Sequence, residues 1–138
     1  SSRSNCHPFT FGNWAFMHNG QIGGFRGIQR RLEQVLPDEL YLHRRGNTDS
    51  EMFFLLLLAH GLESDPELAL VRTLTLIESF QEGVKEPNRY AIVLSDGTSL
   101  FAYRGSSDLL LATKRRETLL TSSKPLKEHL LLLLSGLP

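Results

Sequence analysis

The sequence contains a single cysteine among 138 residues, and this scarcity limits the chemistry that the chain can perform. One thiol excludes an internal disulfide and a cysteine-rich metal site. The five histidines are scattered and lack the spacing of metal ligands, so we expect no metal and no other cofactor. Low cysteine content fits a reducing compartment, and we expect a cytoplasmic protein.

Long apolar runs and an excess of charge of either sign are also missing. The longest apolar run, Met52–Ala59, is far too short to cross a bilayer. Lys plus Arg equals Asp plus Glu, at 15 each, so no overall field attracts nucleic acid or an anionic membrane. The polar residues at the start do not resemble a signal peptide. We therefore expect neither a nucleic acid nor a membrane as partner.

The composition that remains is that of one globular domain. A hydrophobic fraction of 41% and a length of 138 residues allow a core, and we predict one domain over residues 1–138. The chain has no initiator methionine and stops abruptly after an apolar stretch, 130–134. We expect both ends to be cut, with the upstream part of the protein outside this sequence.

Hydrophobic periodicity predicts strands and helices that are largely segregated along the chain. The predicted strands are 13–17, 90–94, 99–104, 109–112 and 117–121. The predicted helices are 25–36, 48–60 and a third that starts at Asp65-Pro66 and ends near Gly83. Asp96-Gly97 predicts a hairpin turn, and the polar link 38–47 is compatible with a short strand. The core-facing positions are predicted to be Ile28, Leu32, Val35, Leu36 in the first helix and Leu68, Val71, Leu74, Ile77, Phe80 in the third. The pattern indicates an α+β fold.

The stretch 5–20 carries the first candidate site. Its apolar residues 14–17 predict a strand, and His18, Asn19 and Gly20 predict a turn that ends it. A turn at a strand end presents backbone N–H groups and the Asn19 amide, which are the neutral donors that an oxyanion hole uses. A plain hairpin turn is the alternative interpretation.

The second motif is Thr48-Asp49-Ser50-Glu51, which fits the capping box S/T-x-x-E before an apolar run. Carboxylates in a first helical turn are stabilised by the helix dipole. Capping and the helix dipole alone therefore account for Thr48, Asp49 and Glu51. The preceding Arg44 and Arg45 are either a solvated basic pair or a support for the loop that leads to Asp49.

Four blocks together resemble the class II glutamine amidotransferase domain, an N-terminal-nucleophile hydrolase. They are Asn5-Cys6-His7-Pro8-Phe9, Trp14-x-Phe16-x-His18-Asn19-Gly20, Gly46-Asn47-Thr48-Asp49-Ser50-Glu51 and Ser123-x-Pro125-Leu126. Their order and spacing match that family over nearly the whole chain. The resemblance implies an αββα four-layer sandwich, here incomplete at its N-terminus.

The resemblance also implies hydrolysis of a γ-glutamyl amide through a cysteinyl acyl-enzyme. In that family the nucleophile is a cysteine at the mature N-terminus, with its own α-amino group as base. Cys6 is internal and has no free amine, so we expect it to be a small buried structural residue. The 138 residues alone are therefore predicted to be inactive.

The site residues follow from the same resemblance. It assigns the Asn19 amide and the Gly20 N–H to the oxyanion hole, and Asp49 to the α-ammonium of the substrate. We add His18 and Thr48 as candidate substrate-binding residues, although capping explains Thr48 and a hydrogen bond that orders the turn explains His18.

Three interpretations of the function remain open on the sequence. The first is a glutaminase that supplies ammonia to an acceptor or a synthase partner. The second, typical of small stand-alone relatives, is an amidohydrolase of γ-glutamyl peptides or metabolites. The third is a non-catalytic domain that binds glutamine or a partner protein. The N-terminal sequence of the complete protein discriminates between catalysis and binding, because a cysteine directly after the initiator methionine, with an arginine block downstream, supports the enzyme and any other residue there supports the binding domain.

Overall fold

A computed structural model of the chain describes residues 5–105, 110–115 and 118–121, with side chains described up to residue 105. It forms two compact units, each built from two separate stretches. The first comprises Ser1–Cys6 and Gln21–Asn88, and the second comprises His7–Gly20 and Arg89–Pro138. All helices of the described residues belong to the first unit. The strands of the described residues belong to the second unit, apart from Gln21 at the end of one strand. The described elements make an α+β protein, as the sequence predicts.

The first unit is organised around one buried helix. Its elements are α1 (Phe25–Val35), α2 (Asp38–His43), α3 (Asp49–Ala59) and α4 (Pro66–Ser79). Helix α3 contacts the three others, and its residues 50–57 are all buried. A helix that is apolar on every side belongs in an interior, and the apolar run that follows Glu51 in the sequence accounts for the burial of α3.

Two helix starts follow the capping rules. The Thr48 hydroxyl accepts a hydrogen bond of 3.2 Å from the backbone N–H of Glu51 at the start of α3. The Asp65 carboxylate accepts one of 3.1 Å from Leu68 N–H, and Pro66 occupies the first turn of α4. Each cap satisfies an N–H group that has no partner within its helix, which confirms both predicted starts.

The prediction for residues 38–47 is wrong where it allows a short strand. Residues 38–43 form helix α2, which follows Pro37 and carries Asp38 and Glu39 in its first turn. A proline followed by carboxylates favours a helix N-terminus, because the fixed φ and the dipole both suit it. The alternation of Leu40 and Leu42 was therefore the weaker signal.

The predicted core-facing side of α4 is also wrong in part. Leu68 and Val71 are 41% and 47% exposed, whereas Ala69, Leu70, Thr73 and Ile77 are buried. The buried side contains small and polar residues, which a pattern based on large apolar residues overlooks. In α1, Ile28, Leu32 and the following Leu36 are buried as predicted, but Val35 is 37% exposed.

The strands of the second unit form one sheet in chain order. They are β1 (Phe9–Phe11), β2 (Trp14–Gln21), β3 (Arg89–Ser95), β4 (Ser99–Gly105), β5 (Leu110–Arg115) and β6 (Thr118–Thr121). Antiparallel pairing joins β1 to β2, with Phe9 opposite Phe16, and β3 to β4, with Ile92 opposite Tyr103. The pairs β4–β5 and β5–β6 are antiparallel too. Strand β1 has no counterpart among the predicted strands.

Strand β2 corrects the prediction of a turn at His18-Asn19-Gly20. The strand continues through Gln21 instead of ending at Met17. Gly20 has a φ of 148°, a value that L residues rarely adopt, so glycine allows a local distortion within the strand. The Asn-Gly pair therefore marks an irregular strand end and not a hairpin loop.

Aromatic side chains dominate the core of the second unit. Trp14 is 6% exposed and lies 6.1 Å from Phe101 between ring centroids, so it is a core residue. Tyr90, Ile92 and Leu94 are buried at every second position of β3, as expected of a strand with one covered face.

The β3–β4 hairpin forms at the predicted Asp96-Gly97 turn, where Asp96 Oδ1 accepts from Thr98 N–H and Ser99 N–H at 2.9 and 2.7 Å. Partial burial raises the pKa of Asp96, but hydrogen bonds led by that of Ser99 outweigh it and hold the pKa below its ordinary value.

None of the helices in the described part of the chain has both the length and the apolar character of a membrane span. Strands β5 and β6 overlap the predicted strands 109–112 and 117–121. The block that contains Ser123, Pro125 and Leu126 lies outside the described residues, as does the tail 130–138.

Candidate functional site

The strand conformation of β2 places the side chains of His18 and Asn19 on opposite faces of the sheet. Burial alternates along the strand, with Trp14, Phe16 and His18 buried and Met17 and Asn19 exposed. Successive side chains of a strand point to opposite faces. The candidate amide of Asn19 is therefore open to a ligand, while His18 belongs to the covered face.

His18 fixes the end of β2 against the next strand. It is 6% exposed, and its Nε2 lies 3.3 Å from the carbonyl oxygen of Arg89, to which it donates when that nitrogen carries the proton. Its ring centroid lies 6.4 Å from that of Phe16 and 5.9 Å from that of Tyr90. This arrangement agrees with the interpretation that a hydrogen bond of the buried His18 orders the Asn19-Gly20 segment.

Gly20 occupies a position that no other residue fills without displacement. A Cβ at this position would lie 2.0 Å from the Arg89 carbonyl oxygen and 3.0 Å from His18 Nε2. The φ of 148° adds strain for any L side chain. Glycine is therefore required here by the backbone. It also has no side chain that would obstruct a ligand beside its N–H.

Asp49 lies at the start of α3 and its carboxylate is held by a backbone group of another segment. Oδ2 of Asp49 accepts a hydrogen bond of 2.8 Å from Ile22 N–H. Ile22 follows Gly20 by two residues in the chain. The side chain thus does more than occupy a favourable place in the helix dipole, because a contact from 27 residues away fixes its direction.

Thr48 and Glu51 form only half of the predicted capping box. Thr48 caps α3, but the carboxylate of Glu51 does not return to the N–H of Thr48. Its Oε1 accepts from Gly46 N–H at 2.9 Å and its Oε2 from Arg45 N–H at 3.2 Å. Glu51 therefore holds the loop before the helix rather than the cap itself.

Of the two arginines in that loop, only Arg45 is solvated. The side chain of Arg44 is 8% exposed and lies in ion-pairing contact with Glu33, and its Nε is 3.8 Å from Glu51 Oε1. Its Nε and Nη2 have no hydrogen-bond partner among the described residues. The loop-supporting interpretation is thus correct for Arg44.

Sequence reasoning missed the residues that hold the segment after Gly20. Asn88 Oδ1 accepts from Gly23 N–H at 2.8 Å, and Gln81 Nε2 donates to the Gly23 carbonyl at 2.8 Å. The two side-chain amides also bond to each other, at 2.7 and 2.9 Å. Isolated amides in a loop give no periodic signal, so only the structure identifies the hydrogen bonds of Gln81 and Asn88 to Gly23.

The structure corrects the expectation for Cys6, which is exposed and not part of the core. It lies in the loop before β1, beside the cis His7–Pro8 peptide bond. Within the described ranges, no three His, Cys, Asp or Glu side chains converge as metal ligands would. The candidate residues divide between the units: His18, Asn19 and Gly20 belong to the second, and Thr48 and Asp49 to the first.

Comparison with known proteins places the chain in a family. The class II glutamine amidotransferase family matches residues 1–123. DUG3 of Saccharomyces cerevisiae, described as a probable glutamine amidotransferase, is 33% identical over 123 residues, a match that covers 75% of this chain. Because the match covers 34% of DUG3, the chain spans about a third of the length of that relative.

A solved structure agrees with this placement. A glutamine aminotransferase class-II domain protein from Silicibacter pomeroyi is 33% identical and superposes with a TM-score of 0.80, covering 87% of this chain and 70% of that one. The family match, the sequence relative and the solved structure point to the same class of protein. The chain belongs to the class II glutamine amidotransferases.

Proposed function

We propose that this domain hydrolyses the side-chain amide of glutamine, or of a related γ-glutamyl compound, through a cysteinyl acyl-enzyme. The observation that carries the proposal is the 2.8 Å hydrogen bond from Ile22 N–H to Asp49 Oδ2. It ties the aspartate of the second motif to the segment that directly follows the first motif in the chain. The αββα four-layer sandwich and a cytoplasmic location are parts of the same proposal.

In this proposal, Asn19 and Gly20 stabilise the oxyanion. The exposed Asn19 amide and the N–H of the exposed Gly20 are neutral donors on a strand that His18 fixes from its buried face. Donors fixed before the reaction need not reorganise as the carbonyl oxygen gains charge, and one such donor contributes about 3 kcal/mol.

Asp49 binds the α-ammonium of the substrate in the same scheme. Ile22 occupies one carboxylate oxygen, and an ammonium on the other would form a charge-assisted hydrogen bond. Such a contact distinguishes a free γ-glutamyl amino acid from an amide that lacks the amino group. Asp49 therefore selects the substrate, whereas Asn19 and Gly20 accelerate its reaction.

The nucleophile of the proposed reaction is a cysteine that precedes residue 1 in the complete protein. Its α-amino group, with a pKa near 8, accepts the thiol proton. The thiolate attacks the amide carbon, and the tetrahedral oxyanion collapses with transfer of a proton to the leaving ammonia. Water then attacks the thioester and releases glutamate and the thiol.

The test is to incubate the complete protein with L-glutamine or with a γ-glutamyl dipeptide and to measure the products. We expect glutamate together with ammonia in the first case, or with the freed amino acid in the second. We expect no turnover by residues 1–138 alone. If the complete protein binds glutamine without releasing ammonia and cleaves no γ-glutamyl bond, it is a binding domain and the proposal is wrong.

A further inference from the structure

The loop that leads to Asp49 is held by a buried carboxylate. Residues 44–48, called here the α2–α3 loop, lie between the last residue of α2 and Asp49, the first residue of α3. Both oxygens of Glu51 accept backbone N–H groups of this loop, those of Gly46 and Arg45. Glu51 is only 5% exposed. A buried carboxylate is costly unless it is paired and hydrogen-bonded, so this arrangement needs a compensating partner.

Arg44 supplies that partner. Its guanidinium lies between two carboxylates, in contact with Glu33 and with its Nε 3.8 Å from Glu51 Oε1. The positive charge offsets the burial of Glu51, and the two helices that carry Glu33 and Glu51 are linked through the loop. The loop is therefore connected to α1 and to α3 by side chains.

A third contact holds the outer side of the loop. The Asn5 amide donates to Asn47 Oδ1 at 3.2 Å, and its oxygen accepts from Asn47 N–H at 3.3 Å. Both contacts are exposed to solvent. The part-buried contacts of Glu51 are therefore the better insulated of the two sets, because water competes less for them.

We propose that Glu51 is a positioning residue that acts through Asp49. By holding the α2–α3 loop against the start of α3, Glu51 fixes the backbone from which the Asp49 carboxylate reaches the substrate ammonium. This inference rests on the proposed function. Helix capping does not explain it, because the cap uses the Glu51 N–H and leaves its carboxylate to the loop. A group that binds a substrate is effective only when its support holds it in place.

The test compares two substrates of the complete protein, L-glutamine and glutaramate, which is the same amide without the α-amino group. The measured quantity is the ratio of kcat/KM for L-glutamine to kcat/KM for glutaramate. Asp49→Asn lowers this ratio if Asp49 binds the ammonium. Glu51→Gln lowers it about tenfold, mainly through KM for L-glutamine, comparable to the effect of losing an outer partner of a metal ligand. Glutamine in this position keeps one acceptor but faces one loop N–H with its own NH₂ group.

A merely structural role predicts a different result. A variant that is only less stable loses activity on both substrates equally and leaves the ratio unchanged. Ile77→Val provides this control, because Ile77 is fully buried on α4 of the same unit and belongs to no candidate site. An unchanged ratio for Glu51→Gln, beside a lowered ratio for Asp49→Asn, overturns this inference and leaves the proposed function intact.

Two further outcomes are separable. If Asp49→Asn leaves the ratio unchanged, the proposed role of Asp49 fails, and the inference about Glu51 fails with it. If Glu51→Gln does not fold, the double variant Arg44→Met, Glu51→Met removes both members of the buried pair, and the one carboxylate that loses its partner is that of Glu33, whose side chain is 24% exposed. The same drop in the ratio is expected of it, and an unchanged ratio overturns the inference.

Discussion

The backbone N–H of Ile22 donates a hydrogen bond of 2.8 Å to Oδ2 of Asp49. This contact directs a helix-start carboxylate and uses one of its two oxygens. Since dipole stabilisation requires no particular direction of the side chain, the contact gives Asp49 a fixed orientation that favouring the helix start alone would not require.

Asp49→Asn should raise KM for L-glutamine about 10- to 100-fold with little change in kcat. The amide retains an oxygen for Ile22 N–H but loses the charge that binds an ammonium, a hydrogen bond to a charged group worth about 1.5–3 kcal/mol. Initial rates of ammonia release by the complete protein measure this. Asp38→Asn, which changes an exposed carboxylate in the first turn of α2, is the matched control. A fall in kcat alone would contradict the assignment.

Asn19→Ala should lower kcat about 10²- to 10³-fold and leave KM nearly unchanged, because the amide stabilises charge that exists only in the transition state. The control is Asn13→Ala, which removes an exposed amide from the β1–β2 connection. Equal small effects of the two variants on steady-state kinetics would remove Asn19 from the oxyanion hole.

Gly20→Ala should destabilise the protein by about 1–3 kcal/mol, because backbone strain at the positive φ and the contact with the Arg89 carbonyl act together. The same substitution at Gly27, in helix α1, meets no atom within 4 Å. Gly27→Ala should therefore stabilise by roughly 0.5–1 kcal/mol, from reduced backbone entropy. Urea unfolding followed by circular dichroism measures both changes, and opposite signs are expected.

Arg44→Met should destabilise by about 3 kcal/mol, because it leaves Glu51 buried without a counter-charge. Arg45→Met, one residue further along the chain, removes an exposed charge and should stay within about 0.5 kcal/mol of the parent. Thermal and urea unfolding test this pair. Similar stabilities for both variants would mean that Arg44 does not compensate the buried carboxylate.

Stability should fall as the pH is lowered below about 6.5, because of His60. Burial, reinforced by the positive charge of Arg72, lowers the pKa of His60, although a backbone hydrogen bond at Leu56 opposes this. The unfolded state then binds the proton more readily. The stabilising contribution is complete above the unfolded pKa of 6.5 and is lost as the pH falls through the folded-state pKa.

Melting temperatures between about pH 8 and pH 5 measure this effect. His60→Gln should remove the corresponding part of the pH dependence, and Arg72→Gln should reduce it, since His60 then has a pKa closer to its unfolded value. The neutral ring lies 2.9 Å from the Thr73 hydroxyl, measured at Nδ1. An identical pH slope in the parent and in His60→Gln would show that another group is responsible.

Residue patterns predict those parts of the fold that depend on local chemistry. Thr48 and Asp65 mark helix starts because their side chains bond to N–H groups three residues ahead. Asp96-Gly97 marks the hairpin for a similar reason. In contrast, the predicted turn at Asn19-Gly20 fails, because the neighbouring strand β3 decides the conformation there and its position is not a local property.

The same limit applies to the candidate site. The motifs identify Asn19, Gly20 and Asp49 as residues of interest, but no pattern shows that Glu51 turns towards Gly46 or that Asn88 and Gln81 bond to Gly23. These contacts join residues whose spacing carries no periodicity. They arise from the packing of separate segments, which a single sequence does not reveal.

Each of the two compact units is assembled from two stretches that the other unit interrupts. A deletion that trims the chain from its C-terminus therefore removes one stretch of the second unit and leaves the other stretch of that unit in place. Cutting after residue 88 takes away strands β3 to β6 but keeps β1 and β2. The Asn19-Gly20 end of β2 then loses its contact with the Arg89 carbonyl. Point substitutions in the intact polypeptide are therefore a better way than shortened genes to test the proposed activity.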